Sequence, residues 1–304
     1  MEKRKRNSET AGAAAQGGTP AGSRKHAAEP QGRRMERGAV APGSAWALVT
    51  GAGSGIGRCY ALRLAALGYD LVLAGNRREP LEAVAAEIRA AADRCDVRIV
   101  EIDLARAEAA AELWEAVRRE GVTVDILINN AGIFSFRDIL ATPPERIERI
   151  LLLHTLTNTQ LCRLAAADMV RRGCRGYILN MSSYSLWMPF PGLSLYSASK
   201  AYLRSFSVAF SKEVEEHGIR VTAVCPAGVA TDLYGLTPRW QRIGRRLGVL
   251  ITADSCARRG LRALWRGRRC IVPDWWNRAW IPLCKVLPMW VLRPIRKFTM
   301  KFQA

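Results

Sequence analysis

The chain has 304 residues, 49% of them hydrophobic, and carries 46 lysines and arginines against 27 aspartates and glutamates, a net charge of +19. Residues 44–304 suffice for one large α/β domain with a real core, so no second folded domain is required. The eight cysteines include no CxxC pair and no metal-ligand spacing, and His26, His154 and His217 do not cluster, which excludes a disulfide framework and a metal site and points to a reducing compartment.

Residues 1–43 are rich in Ala, Gly, Ser, Glu, Lys and Arg with hardly a large apolar side chain, so they cannot offset their ordering entropy and read as a disordered basic tail. The tail lacks the apolar stretch of a secretory signal, and Met35 offers an alternative start. Strand and helix patterns then alternate. Strands are expected at 46–50, 70–74, 97–102, 125–129, 176–181, 219–224 and 269–272, with helices between them, the longest at 144–172 and 195–217. Such alternation implies a parallel, doubly wound sheet.

Two segments carry chemistry. Gly51, Gly53, Gly55 and Gly57 follow the first strand and open a helix, a place where free N–H groups and the helix dipole converge on an anion such as a diphosphate. Tyr196 and Lys200 stand at i and i+4 on one helix face, so an ammonium sits beside a phenol and favours its phenolate, which makes the tyrosine a usable acid or base. Ser183, at the end of a strand, is placed to hydrogen-bond the same substrate oxygen.

With Asn129-Asn130-Ala131-Gly132 after another apolar run, the sequence resembles the short-chain dehydrogenase/reductase family from about Trp46 to Asp232. The resemblance implies a Rossmann-type catalytic domain over 44–272. In it Ser183, Tyr196 and Lys200 form the catalytic set, and Lys200 also binds the nicotinamide ribose. The cofactor contacts it implies are Gly51, Ser54, Gly55, Ile56 and Gly57 at the diphosphate and adenosine ribose, and Asp103, Asn130, Ala131 and Gly132 near the adenine. Val229 and Thr231 meet the carboxamide. Two positions depart from the family pattern. His154 stands where the family carries an asparagine that holds a water beside the lysine, and is read either as an altered proton relay or as a packing residue. Ala227 separates Pro226 from Gly228, where the family more often has the two adjacent.

The second strand ends in Asn76-Arg77-Arg78 with no carboxylate to bind ribose hydroxyls, and the guanidinium groups of Arg77 and Arg78 suit a ribose 2′-phosphate, so NADP(H) is expected over NAD(H), with Asn76 and Arg77 among the cofactor contacts; the alternative is that the arginines start the next helix as solvated charge. Homodimers or homotetramers through the two long helices are implied by the same resemblance.

Lysine and arginine number 21 against 21 acidic residues in 44–232 but 16 against 2 in 233–304, which also holds six of the nine tryptophans. Residues 273–304 therefore read as a basic amphipathic extension. It suits an anionic membrane surface but is too short and too interrupted by Pro282, Lys285 and Pro288 to span it. A basic lid on the substrate cleft or on a dimer mate is the alternative, and no nucleic acid is expected. The aromatic and aliphatic loop 184–194 predicts a lipophilic carbonyl or alcohol substrate. Here the resemblance is to the membrane-associated 3-oxoacyl thioester reductases and hydroxysteroid dehydrogenases. A cytoplasmic enzyme, peripheral on a membrane, is the expectation; a membrane-associated NADP(H)-binding scaffold or redox sensor with little turnover is the alternative.

Overall fold

A strand covered on both faces is predominantly apolar, as are β1 (Trp46–Thr50), β4 (Val124–Asn129), β5 (Gly176–Met181) and β6 (Ile219–Val224), with β4 and β5 buried at every position. In this computed structural model they join β2 (Asp70–Gly75), β3 (Val97–Glu101) and the short β9 (Cys270–Ile271) in a seven-stranded sheet of order β3-β2-β1-β4-β5-β6-β9. Every pairing is parallel. The structure describes residues 45–230 except 93 and 189, residues 250–274, and positions 242, 277–279, 281, 282 and 290. The basic tail, Thr231 and most of the 273–304 extension lie outside the described residues.

Period-two alternation assigns each strand residue to one of two cores. Ala47, Val49, Leu71, Leu73, Ile126 and Ile128 face α1 (Gly55–Ala65), α2 (Arg78–Ala91) and α7 (Ala253–Trp265). Leu48, Val72, Leu127 and Ile178 face α3 (Ala109–Arg119) and α5 (Asn158–Arg171) on the other side. The fold is therefore an α/β, Rossmann-like doubly wound sheet, as expected. The expected strands 46–50, 176–181 and 219–224 have the observed bounds, and the other four differ by one residue at one or both ends, the scatter normal at element ends.

Two features depart from the sequence reading. The expected continuous helix over 144–172 is broken: α4 (Pro144–Leu151) passes into a π-helical turn, Leu152–Thr157, before α5. The buried Asn158 amide donates to the Leu153 carbonyl at 2.6 Å, satisfying an acceptor that the wider turn releases. The second is a separate two-stranded parallel sheet, β7 (Gly228–Ala230) with β8 (Leu250–Thr252), too short for a periodic signal. The helix expected at 195–217 is α6 (Ser194–Glu213) followed by a 3-10 turn over 215–217.

Strand order reverses between β1 and β4, and a parallel sheet opens a crevice beyond the strand ends at such a point. The glycine-rich turn leaves β1 there, and Asn130 to Gly132 leave β4 there.

Candidate active site

One hydroxyl locks the two loops together. Thr50 Oγ1 donates to the Ile128 carbonyl at 3.3 Å and accepts the N–H groups of Asn130 and Ala131 at 3.0 and 3.1 Å. The Asn130 side-chain amide returns the contact, donating to the carbonyls of Thr50 and Gly51 at 3.1 and 3.2 Å. Glycine is required where the loops meet: a Cβ on Gly57 would lie 2.0 Å from the Gly51 oxygen, and Gly51 has φ +63°. Ser54 at the N-cap of α1 makes no side-chain cap bond, so the first-turn amides have no competitor on that side. This cradle, which a side chain would fill, fits a diphosphate.

Behind it a buried polar ladder ties the sheet to α6. Asn129 Nδ2 donates to Asn180 Oδ1 at 2.9 Å, and Asn180 Nδ2 donates to Ser207 Oγ at 2.8 Å.

The opposite wall comes from α6 and the end of β5. Lys200 is buried, and its ammonium donates to the Met181 carbonyl at 2.8 Å while lying 5.8 Å from the centre of the Tyr196 ring. Burial pushes its pKa down from 10.5 to about 8. Ser183 Oγ accepts the Ser185 N–H at 3.2 Å, so its own proton points to another acceptor. Phe134 packs edge-on against Tyr196 with centroids 5.1 Å apart, and Phe190, Leu193 and Met188 extend this into an apolar flank.

His154 sits at 0% exposure on the π-helical turn, with protein partners at both nitrogens. Nε2 accepts the Ile133 N–H at 3.0 Å, which places the proton on Nδ1, 2.9 Å from Ser199 Oγ; that hydroxyl donates in turn to the Tyr196 carbonyl at 2.8 Å. Burial first, and the Lys200 charge second, hold the imidazole well below its ordinary pKa, so it is neutral.

Gly51, Ser54, Gly55, Ile56, Asn76, Asp103, Asn130, Ala131, Gly132, Ser183, Tyr196, Lys200 and Val229 line a single cleft of about 450 Å³. Gly57 lies behind the turn rather than on the cleft, and Arg77 is the exposed N-cap residue of α2, outside the lining. Sequence reasoning missed Arg149, whose guanidinium pairs with Asp103 Oδ2 at 2.9 Å inside the cleft. Desolvation acts to raise the Asp103 pKa, but the Ala105 N–H and Arg149 outweigh it and the net shift is downward. No local signal links these residues, which come from separate elements. Among the described residues no helix is long and apolar enough to cross a membrane, and no cluster of metal ligands occurs.

A family model described as short chain dehydrogenase matches residues 45–242. A very-long-chain 3-oxoacyl-CoA reductase of Pyrenophora tritici-repentis is 34% identical over 186 residues, 60% of this chain and 54% of that protein. The mouse 17-beta-hydroxysteroid dehydrogenase type 3 (Mus musculus) is 35% identical over 191 residues, 62% of this chain and 61% of that one. The chain thus matches only about half to three fifths of the length of these two relatives. Among solved structures, a short-chain dehydrogenase from Sphingobium yanoikuyae in complex with NADPH superposes with a TM-score of 0.68 at 31% identity, over 80% of this chain and 96% of that one.

Proposed function

The chain belongs to the short-chain dehydrogenase family, and on that premise we propose that it interconverts a ketone and a secondary alcohol on a lipophilic substrate, using NADP(H). The observation that carries this reading is the buried Lys200 ammonium beside the Tyr196 ring, on the same cleft that the glycine-rich turn opens. When bound, the dinucleotide supplies or accepts hydride. Gly51 to Ile56 would hold its diphosphate, Lys200 its nicotinamide ribose and Val229 its carboxamide; Thr231, the other residue expected there, lies outside the described residues.

The chain's own part is proton transfer and orientation. Tyr196 gives its proton to the carbonyl oxygen, or removes one from the alcohol, and Lys200 stabilises the phenolate that results. Ser183, its lone pair occupied by the Ser185 N–H, donates to the same oxygen. His154 fixes Ser199, and through it the Tyr196 backbone, while holding the Ile133 segment across the cleft.

Preference for NADP(H) is supported by charge. Arg78 is engaged with Glu82 at 2.7 Å, which leaves Arg77, with Asn76, for a ribose 2′-phosphate; the S. yanoikuyae relative was solved with NADPH. A 3-oxoacyl thioester or a steroid-like ketone agrees with the apolar flank of Phe134, Phe190 and Met188 and with the names of the two relatives. A homodimer through α5 and α6, or a homotetramer built on it, agrees with the exposed Val170 and Tyr202. The basic extension over 273–304 gives the cytoplasmic enzyme a peripheral contact with anionic membrane.

NADPH oxidation measured against 3-oxoacyl thioesters and ketosteroids, with NADH and Tyr196→Phe as controls, tests the reading. Turnover that survives Tyr196→Phe overturns the mechanism. If NADPH binds and nothing on the panel is reduced, the scaffold or sensor alternative replaces the enzyme.

A further inference from the structure

A second concavity, of about 400 Å³, opens between α6, α7 and the segment that follows β9. Six arginines line it: Arg204 from α6, Arg259, Arg262 and Arg266 from α7 and its end, Arg268 before β9, and Arg278. No carboxylate is among the described residues of its lining. The buried Asp274 lies 3.6 Å from Arg259.

Elsewhere several arginines are ion-paired. Arg58 pairs with Glu87, Arg63 with Asp254, Arg106 with Glu112, and Arg172 with both Asp125 and Asp168. Around the second concavity two of the guanidinium groups also touch neutral partners. Arg204 lies 5.6 Å over the Trp187 ring, and Arg259 donates to the Pro273 carbonyl. The Nε of Arg204 is buried with no hydrogen-bond partner among the described residues. The field there favours anions: the Cys270 thiol on the same wall is drawn down to about 6, first by a hydrogen bond from Cys225 and then, against burial, by Arg204.

We propose that this arginine-lined pocket binds a phosphate-bearing group carrying two or more negative charges, at a site separate from the cleft of the glycine-rich turn. Planar guanidinium forks match phosphate oxygens two at a time, and convergence from three elements suits a diphosphate better than a single carboxylate. Trp187 adds an aromatic wall beside the charged floor. The same chemistry has two sources, a soluble phosphorylated carrier or a lipid headgroup. The inference does not depend on which carbonyl compound is reduced.

The test uses the full chain. Inorganic pyrophosphate and coenzyme A are titrated by calorimetry, and vesicles of phosphatidylcholine with and without phosphatidylglycerol are tested by flotation. Each is repeated on Arg262→Glu/Arg268→Glu, two exposed positions outside the catalytic cleft, and on Arg258→Glu, an exposed α7 residue outside the pocket, as the charge control. The double variant is expected to weaken pyrophosphate binding at least tenfold and the control to change it little, with NADPH affinity the same in all three proteins. Coenzyme A binding lost in the double variant identifies a soluble carrier. Flotation on the anionic vesicles lost in the double variant alone identifies a headgroup. Pyrophosphate, coenzyme A and vesicle binding that are absent, or equal in the double variant and the Arg258→Glu control, overturn the site. NADPH binding on the same samples reports separately on the cofactor cleft, so failure of one reading is not mistaken for failure of the other.

Discussion

Lys200 Nζ lies 2.8 Å from the carbonyl oxygen of Met181, the last residue of β5. That single hydrogen bond fixes an otherwise buried ammonium at the point where β5 hands over to Ser182 and Ser183, and Ser182 Oγ donates back to the Lys200 carbonyl at 2.7 Å. Helix α6 and strand β5 are thereby held in one register, with Tyr196 one turn before the lysine.

The buried lysine gives the unliganded protein a distinctive alkaline behaviour. Its pKa is lowered to about 8 on folding, so between about pH 8 and 10.5 the unfolded chain holds more protons than the folded one. Stability therefore rises with pH through that window, by up to about 3 kcal/mol, and the gain is lost as pH falls through 8. Denaturant midpoints compared across it for the natural chain and Lys200→Met isolate the effect, because the other titrating groups are common to both. Equal pH slopes would refute it.

His154 is expected to remain neutral, with its proton on Nδ1, below the ordinary histidine pKa. Nitrogen chemical shifts of the labelled imidazole read this directly. Because its folded pKa is depressed, its contribution to stability is present above the ordinary value and is lost on acidification. His154→Ala leaves the Ile133 N–H without an acceptor and opens a cavity, at a cost of about 2–4 kcal/mol in chemical denaturation.

Gly57→Ala drives a methyl group into the Gly51 carbonyl and the Asn130 amide. The clash is with backbone, which has no rotamer to escape into. A loss of about 3 kcal/mol or more is expected, together with loss of dinucleotide binding measured by fluorescence titration.

Asn76→Asp puts a carboxylate at the end of β2, inside the cleft. It repels a 2′-phosphate and accepts ribose hydroxyls, so KM for NADPH should rise at least about tenfold while that for NADH falls. Unchanged KM values for both would remove Asn76 from cofactor selection.

Cys270 should be the first of the seven described cysteines to react with iodoacetamide at neutral pH. Its thiol is lowered to about 6 and half-buried, whereas Cys59, Cys95, Cys162, Cys174, Cys225 and Cys256 are all raised, chiefly by burial or, for Cys225, by its bond to Cys270. Peptide mapping after brief labelling identifies the site. Faster alkylation of any of the other six refutes it.

The amino-acid sequence by itself determined the parallel sheet, the glycine-rich turn and the Tyr196/Lys200 pair. Each is written in short-range order: apolar runs of five or six residues, glycines two to four apart, and a spacing of four on one helix. The π-helical turn was not legible, because a one-residue widening leaves the apolar pattern of 144–172 almost unchanged and is set by Asn158 reaching the Leu153 carbonyl. Nor was the fate of His154, whose partners Ile133 and Ser199 come from a loop and a helix that meet only in the folded chain. The Asp103–Arg149 pair and the six-arginine pocket belong to the same class. Hydrogen bonds and ion pairs depend on angstrom-scale approach between distant segments, and only tertiary packing decides that approach.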